Sequence, residues 1–261
     1  MQVTFSKYQG TGNDFVIIDN RDNIISPEDR VLIEKLCDRR FGIGADGLML
    51  LEEEEGYDFR MRYFNSDGKE ASMCGNGGRC IVAFAYHLGV IKDKTNFIAV
   101  DGEHEAEVRE EVNSLQVSLK MIDVAGIEKG EDYFYLNTGS PHFVKFIAQH
   151  DSFDTFSEGK KIRYNDRFSE EGTNVNFVSF QDDGITVSTY ERGVENETYS
   201  CGTGVVASAI SASFKINNNH FKIKTKGGNL QVSFNKINLD NIEDVWLTGP
   251  ATHVFNGSLN V

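Results

Sequence analysis

The chain has 261 residues, 39% of them apolar and 25% charged, with 25 glycines, three prolines and four cysteines. Its formal net charge of −14 at pH 7 argues against nucleic acid as a partner, because neutralising phosphates needs clustered Lys and Arg. No apolar stretch reaches the length of a membrane span; the best, Cys80 to Ile91, is short and carries His87.

The opening MQVTFSKYQGTGNDF lacks a basic segment followed by an apolar one, so no signal peptide is expected and the cytoplasm is the expected compartment. Strand-like runs follow at VTFSKYQ, FVIID, GLMLL, YDFRMRYFN, NFIAV, EAEV and LQVSLK. A first helix is expected from Ser26-Pro27-Glu28-Asp29, an N-cap with an early proline and acids, to about Arg40, with Val31, Ile33, Leu36 and Cys37 on its apolar face. A second starts at SMCGNGGRC and runs through IVAFAYHL to a stop at Gly89. It is apolar almost all round and should be buried.

Further strands are expected at YFYLNTG, HFVKFI, NFVSFQ, ITVSTYE, FKIKTK, LQVSF and DVWLTG, with a polar helix near 151–160. An Ala- and Ser-rich helix, VVASAISASF, follows SCGTG. Hairpins are expected at Asp101-Gly102, Asp183-Gly184 and Gly227-Gly228, and another at Asn256-Gly257 in the tail.

The chain repeats itself. One offset of 127 residues separates Cys74 from Cys201 and Thr11-Gly12 from Thr138-Gly139. FGIGADGLML lies near the position of EGTNVNFVSF on this alignment, and FIAVDGEHEAEV near FKIKTKGGNLQV. Two copies of one unit are therefore expected, 1–122 and 123–248, with 249–261 joining the first half. The expected class is α+β: two pseudo-symmetric halves, each a curved, mostly antiparallel sheet around a central buried helix.

Both repeated cysteines stand at a helix start. That position offers unpaired N–H groups and partial positive charge, which favours thiolate and binds carboxylate. Gly75, Gly77 and Gly78, like Gly202 and Gly204, let backbone approach a bound anion. Two thiols facing one cleft would suit inversion of a carbon beside a carboxylate: one removes the α-proton, the other protonates the opposite face. Cys37 and Cys80 read as small buried hydrophobes. A Cys74–Cys201 disulfide is a further possibility. No Cys/His spacing suggests a metal.

The blocks GTGNDFVIID, GIGADGL, FNSDGKEASMCGNGGRC, GSPHFV, TNVNFV and YERGVENETYSCGTG, in this order, resemble the diaminopimelate epimerase family nearly end to end. The resemblance implies that family's two-lobed fold and a cofactor-independent interconversion of LL- and meso-2,6-diaminopimelate, a step toward lysine and peptidoglycan precursors. It implies no metal and no pyridoxal phosphate, a small-molecule substrate, and a homodimer.

By the same resemblance, Cys74 and Cys201 are the thiol pair. Gly75 and Asn76, with Gly202 and Thr203, match the backbone that holds the reacting carboxylate. His142 and Glu191 match residues near the reacting amino group; Asn13, Asn65, Asn174 and Arg192 match those that read the rest of the substrate. Arg192 suits a distal carboxylate. Ser140 stands where many members have Asn, and Gly47 where some have Gln. Simpler roles stand beside these: an ion pair for Glu191-Arg192, core filling for His142, turns for Asn13 and Asn65. The rival functions are a proline or hydroxyproline racemase-like enzyme, which would not need Arg192 and the asparagines, and a non-catalytic thiol switch.

Overall fold

The computed structural model describes residues 2–111 and 114–260. Internal contacts divide the chain into two units: one runs to Leu119 and is taken up again at Gly249, the other is Lys120–Thr248.

The first unit orders its elements as β1 (Gln2–Gly10), β2 (Asn13–Asp19), α1 (Arg30–Cys37), β3 (Gly47–Glu52), β4 (Phe59–Asn65), β5 (Glu70–Ala71), α2 (Gly75–His87), β6 (Lys94–Ala99), β7 (Gly102–Glu111) and β8 (Ser114–Lys120). Two short strands follow, β9 (Val124–Ala125) and β10 (Glu128–Lys129). The second unit then orders β11 (Tyr133–Asn137), β12 (Pro141–Phe146), α3 (Thr155–Arg163), β13 (Asn174–Gln181), β14 (Gly184–Glu191), β15 (Asn196–Thr198), α4 (Gly202–Ala212), β16 (His220–Thr225), β17 (Gly228–Lys236) and the start of β18 (Asn241–Asn260), which from Gly249 on belongs to the first unit.

The pairing senses of the two units match strand for strand. In the first, β1–β2 is antiparallel, β2–β3 parallel, β3–β4 and β4–β5 antiparallel, β4–β6 parallel, and β6–β7 and β7–β8 antiparallel. The second repeats that series from β11–β12 to β17–β18. The parallel pairs are the ones whose connection contains a helix: α1 and α2 in one unit, α3 and α4 in the other. A parallel pair needs such a crossover, whereas an antiparallel pair closes with a short turn.

α2 and α4 are the buried helices. Residues 75–85 of α2 are buried continuously, and the helix packs against β1, β2, β3 and β7. α4 is buried except at Thr203 and packs against strands β11–β14, β16 and β17. Its Val205, Val206 and Ile210 share a core with Val144, Val178, Val187, Phe221, Ile223 and Val232. Serine tolerates this setting because Ser208 and Ser211 donate to the carbonyls of Gly204 and Ala207 one turn back, at 2.7 and 2.8 Å.

The structure corrects four local expectations. α1 begins at Arg30, not near Ser26, because Asp29 is the residue that caps it, accepting from Leu32 N at 3.1 Å; Ser26 closes a preceding turn instead. Val31 is 77% exposed and lies off the apolar face, which holds Ile33, Leu36 and Cys37. The hairpin turns fall one residue earlier than expected, at 100–101, 182–183 and 226–227. Their glycines, Gly102, Gly184 and Gly228, are the first paired residues of the return strands and carry φ of 118°, 149° and 143°. Finally, Asn256-Gly257 is no turn: β18 runs through it and pairs antiparallel with β1 over Gln2–Gln9. Gly257 is small there because a Cβ would press into the Phe5 ring.

Ile210 sits wholly buried in α4. Ile210→Ala should lower unfolding free energy by roughly 2–5 kcal/mol through lost burial and a residual cavity, measured by urea denaturation with m unchanged.

Candidate active site

Each unit builds one half of the expected residue set, and each half is centred on a cysteine that caps its buried helix. Cys74 has extended backbone (φ −102°, ψ 138°) immediately before α2, and its Sγ accepts from Gly77 N at 3.4 Å. Cys201 has the same role before α4 (φ −117°, ψ 113°), but its side chain makes no capping bond. Its Sγ lies 3.5 Å from Thr203 Oγ1. None of the four cysteines is in a disulfide. Burial pushes the Cys37 thiol up to about 12 and raises Cys80 further still, so both stay protonated near neutrality.

Around Cys74 the sequence brings in the β1–β2 turn. Thr11 and Gly12 both have positive φ, 49° and 88°, as a two-residue turn of the I′ class requires. Asn13 follows at the start of β2. Its Oδ1 accepts from Cys74 Sγ at 3.7 Å, while its Nδ2 donates to Asp46 Oδ2 at 2.6 Å. Asp46 is held by Arg39 at 2.7 Å, and Arg39 also pairs with Asp14, whose carboxyl is held at about 2; burial opposes that shift, and Arg39 and Lys7 overcome it. Gly75 and Asn76 form the buried first turn of α2.

Asn65 ends β4, exposed, with its backbone closing the turn to β5. Gly47 faces it across the β3–β4 ladder. A side chain at 47 would start 2.5 Å from the Tyr63 ring. The Tyr63 ring and the Phe64 carbonyl oxygen, 2.6 Å away, together occupy the space that a longer residue at 47 would need.

Around Cys201 the set is tied by one run of hydrogen bonds. His142, on β12, is fully buried; its Nε2 lies 2.9 Å from Thr203 Oγ1 and its Nδ1 3.0 Å from Asn176 Nδ2. Asn176 Nδ2 also donates to the Phe143 carbonyl, and its Oδ1 accepts from Thr189. A carbonyl can only accept, so the amide is oriented with Nδ2 toward the ring. Nδ1 must then accept, and the proton sits on Nε2, donated to Thr203. Burial, helped by the Arg192 charge, lowers the His142 pKa to about 3, so the ring is neutral. The Thr203 carbonyl accepts from Thr138 Oγ1 at 2.9 Å, which pins the first turn of α4 to the β11–β12 loop.

Asn174 opens β13. Its Nδ2 donates to Ser140 Oγ at 2.8 Å and to the Pro141 carbonyl; its Oδ1 accepts from Arg192 N at 2.9 Å. Ser140 is thus bonded directly to another member of the set. Glu191 ends β14, and the exposed Arg192 follows, donating from Nη1 to the Glu171 carbonyl. Gly202 is buried, and Gly204 has no side chain because a Cβ would collide with Asn176 Oδ1. Among the described residues, no three His, Cys, Asp or Glu side chains are grouped as metal ligands.

Sequence reasoning passed over Asp46, Asn176, Thr189 and Arg79. A signal for Asn176 existed: in TNVNFV it alternates with Asn174 and so shares its face of the strand. The neutral His142 has a measurable consequence. Its folded pKa lies below its unfolded value of 6.5, so the unfolded state binds the extra proton first and stability falls as pH drops from 6.5 toward 3. His142→Gln should flatten that part of the stability–pH curve, removing a slope of up to about 1.4 kcal/mol per pH unit. Parallel urea titrations of both proteins across the window would check it.

The family model described as Diaminopimelate epimerase matches residues 5–123 and 134–254. The diaminopimelate epimerase of Flavobacterium psychrophilum is 51% identical over 256 residues, 97% of this chain and 98% of that one. That of Chlorobaculum tepidum is 40% identical over 264 residues, covering 97% and 99%. Among solved structures, a Bacillus anthracis phenazine biosynthesis protein of the PhzF family is similar with TM-score 0.76 at 13% identity, both chains covered fully. A hydroxyproline epimerase from Agrobacterium vitis is similar with TM-score 0.68 at 12% identity, covering 99% of this chain and 92% of that one. At such identities the two structures share the fold alone. With the family model spanning most of both halves and relatives this similar along nearly their whole lengths, the chain belongs to the diaminopimelate epimerase family.

Proposed function

We propose that the chain interconverts LL- and meso-2,6-diaminopimelate without a cofactor, with Cys74 and Cys201 as the two acid/base groups. One sulfur, as thiolate, takes the α-proton from one face of the carbon. The other, as thiol, gives its proton to the opposite face. The pair ends with its protonation reversed, ready for the opposite epimer, so one constellation serves both directions.

The observation that carries this reading is the matched placement of the two cysteines. Each is the N-cap of a buried helix whose first turn contains glycine. Such a position supplies backbone donors and partial positive charge where a thiolate and a carboxylate need them. The chemical difficulty is the α-carbanion, which a free amino acid forms very reluctantly. Preorganised N–H groups aimed at the carboxylate stabilise the charge that spreads onto it, and one such donor is worth roughly 10²–10³-fold in rate. Gly75 and Asn76 with Gly202 and Thr203 are the donors in this reading.

Glu191 would hold an ammonium, and Arg192 a distal carboxylate through paired donors. Asn13, Asn65 and Asn174 would read the zwitterion, since an amide both donates and accepts. His142 and Ser140 support it from behind: His142 donates to Thr203, and Ser140 accepts from Asn174. The reading includes a cytoplasmic enzyme acting as a homodimer, feeding lysine and peptidoglycan precursor synthesis.

Reduced protein incubated with LL-diaminopimelate in D₂O should place deuterium at the α-carbon as the meso form appears. Cys74→Ala and Cys201→Ala should each lower epimerisation by at least roughly 10²-fold while the circular dichroism stays unchanged. Turnover near the wild-type rate in either variant refutes the two-thiol assignment.

A further inference from the structure

Arg79 does not fit its surroundings. It lies one turn into α2, among Gly77, Gly78, Cys80, Ile81 and Val82, and is 0% exposed. Helical side chains lean back toward the N-terminus, and this one does. Its Nη1 donates to the Gly75 carbonyl at 3.2 Å. Its Nη2 donates to Asn76 Oδ1 at 3.0 Å and to Thr11 Oγ1 at 3.2 Å. Every acceptor is neutral. Nε has no hydrogen-bond partner among the described residues, and the side chains acting on the charge are two thiols, Cys80 and Cys74. Cys80 is buried and protonated.

A buried guanidinium with no standing anion is costly, and fold stability alone would replace it with an apolar residue. The surroundings are nonetheless shaped for it. Gly10 lets β1 lie close over the first turn of α2: a Cβ there would stand 3.0 Å from the Asn76 carbonyl oxygen and 3.2 Å from Cys80 Sγ, with Arg79 Nη2 next at 3.5 Å. Thr11 holds a left-handed backbone, φ 49°, uncommon for a β-branched residue, and its buried hydroxyl reaches both Arg79 and Asn76. Asn76 Oδ1 accepts from both Thr11 and Arg79, which fixes the amide and turns its nitrogen away from the guanidinium. A cation held by neutral acceptors in this place is available to an anion that forms at the N-terminus of α2.

We propose that Arg79 is a positioning residue for the Cys74 half of the site: it locks Asn76 and Thr11 beneath the first turn of α2 and adds its charge to that helix end. The negative charge it stabilises is that of the Cys74 thiolate or of a carboxylate bound beside it. This inference rests on the reading that Cys74 is one of the two acid/base groups.

The test uses Arg79→Met, Arg79→Lys and Cys74→Ala in the full chain. Two readouts are needed: kcat and KM with diaminopimelate, and the rate at which iodoacetamide alkylates Cys74 at pH 7, followed by mass spectrometry in a Cys201→Ala background. Arg79→Met should lower kcat about 100-fold with a much smaller change in KM, and slow alkylation of Cys74 about tenfold. Arg79→Lys keeps the charge but loses the fork, so alkylation should recover while kcat stays low. If Arg79→Met does not fold, as circular dichroism would reveal, the lysine variant carries the test by that same split. Wild-type kcat and alkylation in a folded Arg79→Met, with Cys74→Ala inactive, overturns the proposal. So does alkylation in Arg79→Lys as slow as in Arg79→Met. An active Cys74→Ala overturns instead the reading on which the inference rests.

Discussion

A helix buried on every side leaves its first-turn N–H groups with no water to bond, and most of this molecule's organisation follows from that constraint. α2 and α4 are such helices. A serine or aspartate cap would satisfy one donor and close the end. A cysteine cap does less, because sulfur is a weak acceptor: Cys74 accepts from Gly77 N at 3.4 Å, and the Cys201 side chain makes no capping bond. The glycines behind each cysteine let the helix start pack closely: a Cβ at Gly78 would stand 2.8 Å from Met73 Sδ, and one at Gly204 would collide with Asn176 Oδ1. A helix start of this kind brings backbone donors and partial positive charge to one place, which suits an anion.

The rest of each unit holds these two ends in place. The helical crossover that carries α2 joins β4 and β5 to β6; α4 joins β14 and β15 to β16 in the same manner. The hairpins that touch the helix starts are equivalent too. Thr11, in the β1–β2 turn, bonds Asn76; Thr138, in the β11–β12 loop, bonds the Thr203 carbonyl. The two halves differ in their polar support. In one, a buried arginine backs the first turn; in the other, a neutral histidine held by Asn176 does so.

Patterns with a short sequence range were legible. The cysteine-glycine helix starts, the buried character of α2 and α4, and nearly every long strand could be read from spacing and composition. Misreadings occurred where neighbouring residues compete for one role. Ser26 and Asp29 both suit an N-cap, and only the bond to Leu32 N separates them. Asn256-Gly257 has the chemistry of a turn, yet pairing with β1 keeps the strand extended. The polar network was the least legible part. Arg79 meets Thr11 across 68 positions and His142 meets Thr203 across 61, and no periodicity encodes such partners. The candidate set assembled by family likeness contained the thiols, their first-turn neighbours, Asn13 and His142, but not Asp46, Asn176, Thr138 and Arg79, which hold Asn13, His142, Thr203 and Asn76 in turn.

Gly47 shows how a position in a strand ladder can be closed to a longer residue twice over. A Cβ there would stand 2.5 Å from the Tyr63 ring and 2.6 Å from the Phe64 carbonyl oxygen. A smaller residue at 63 would remove the first obstacle and leave the second, which belongs to the main chain of β4. Glutamine at 47 therefore demands that the strand itself give way, a change that no single neighbouring side chain can supply.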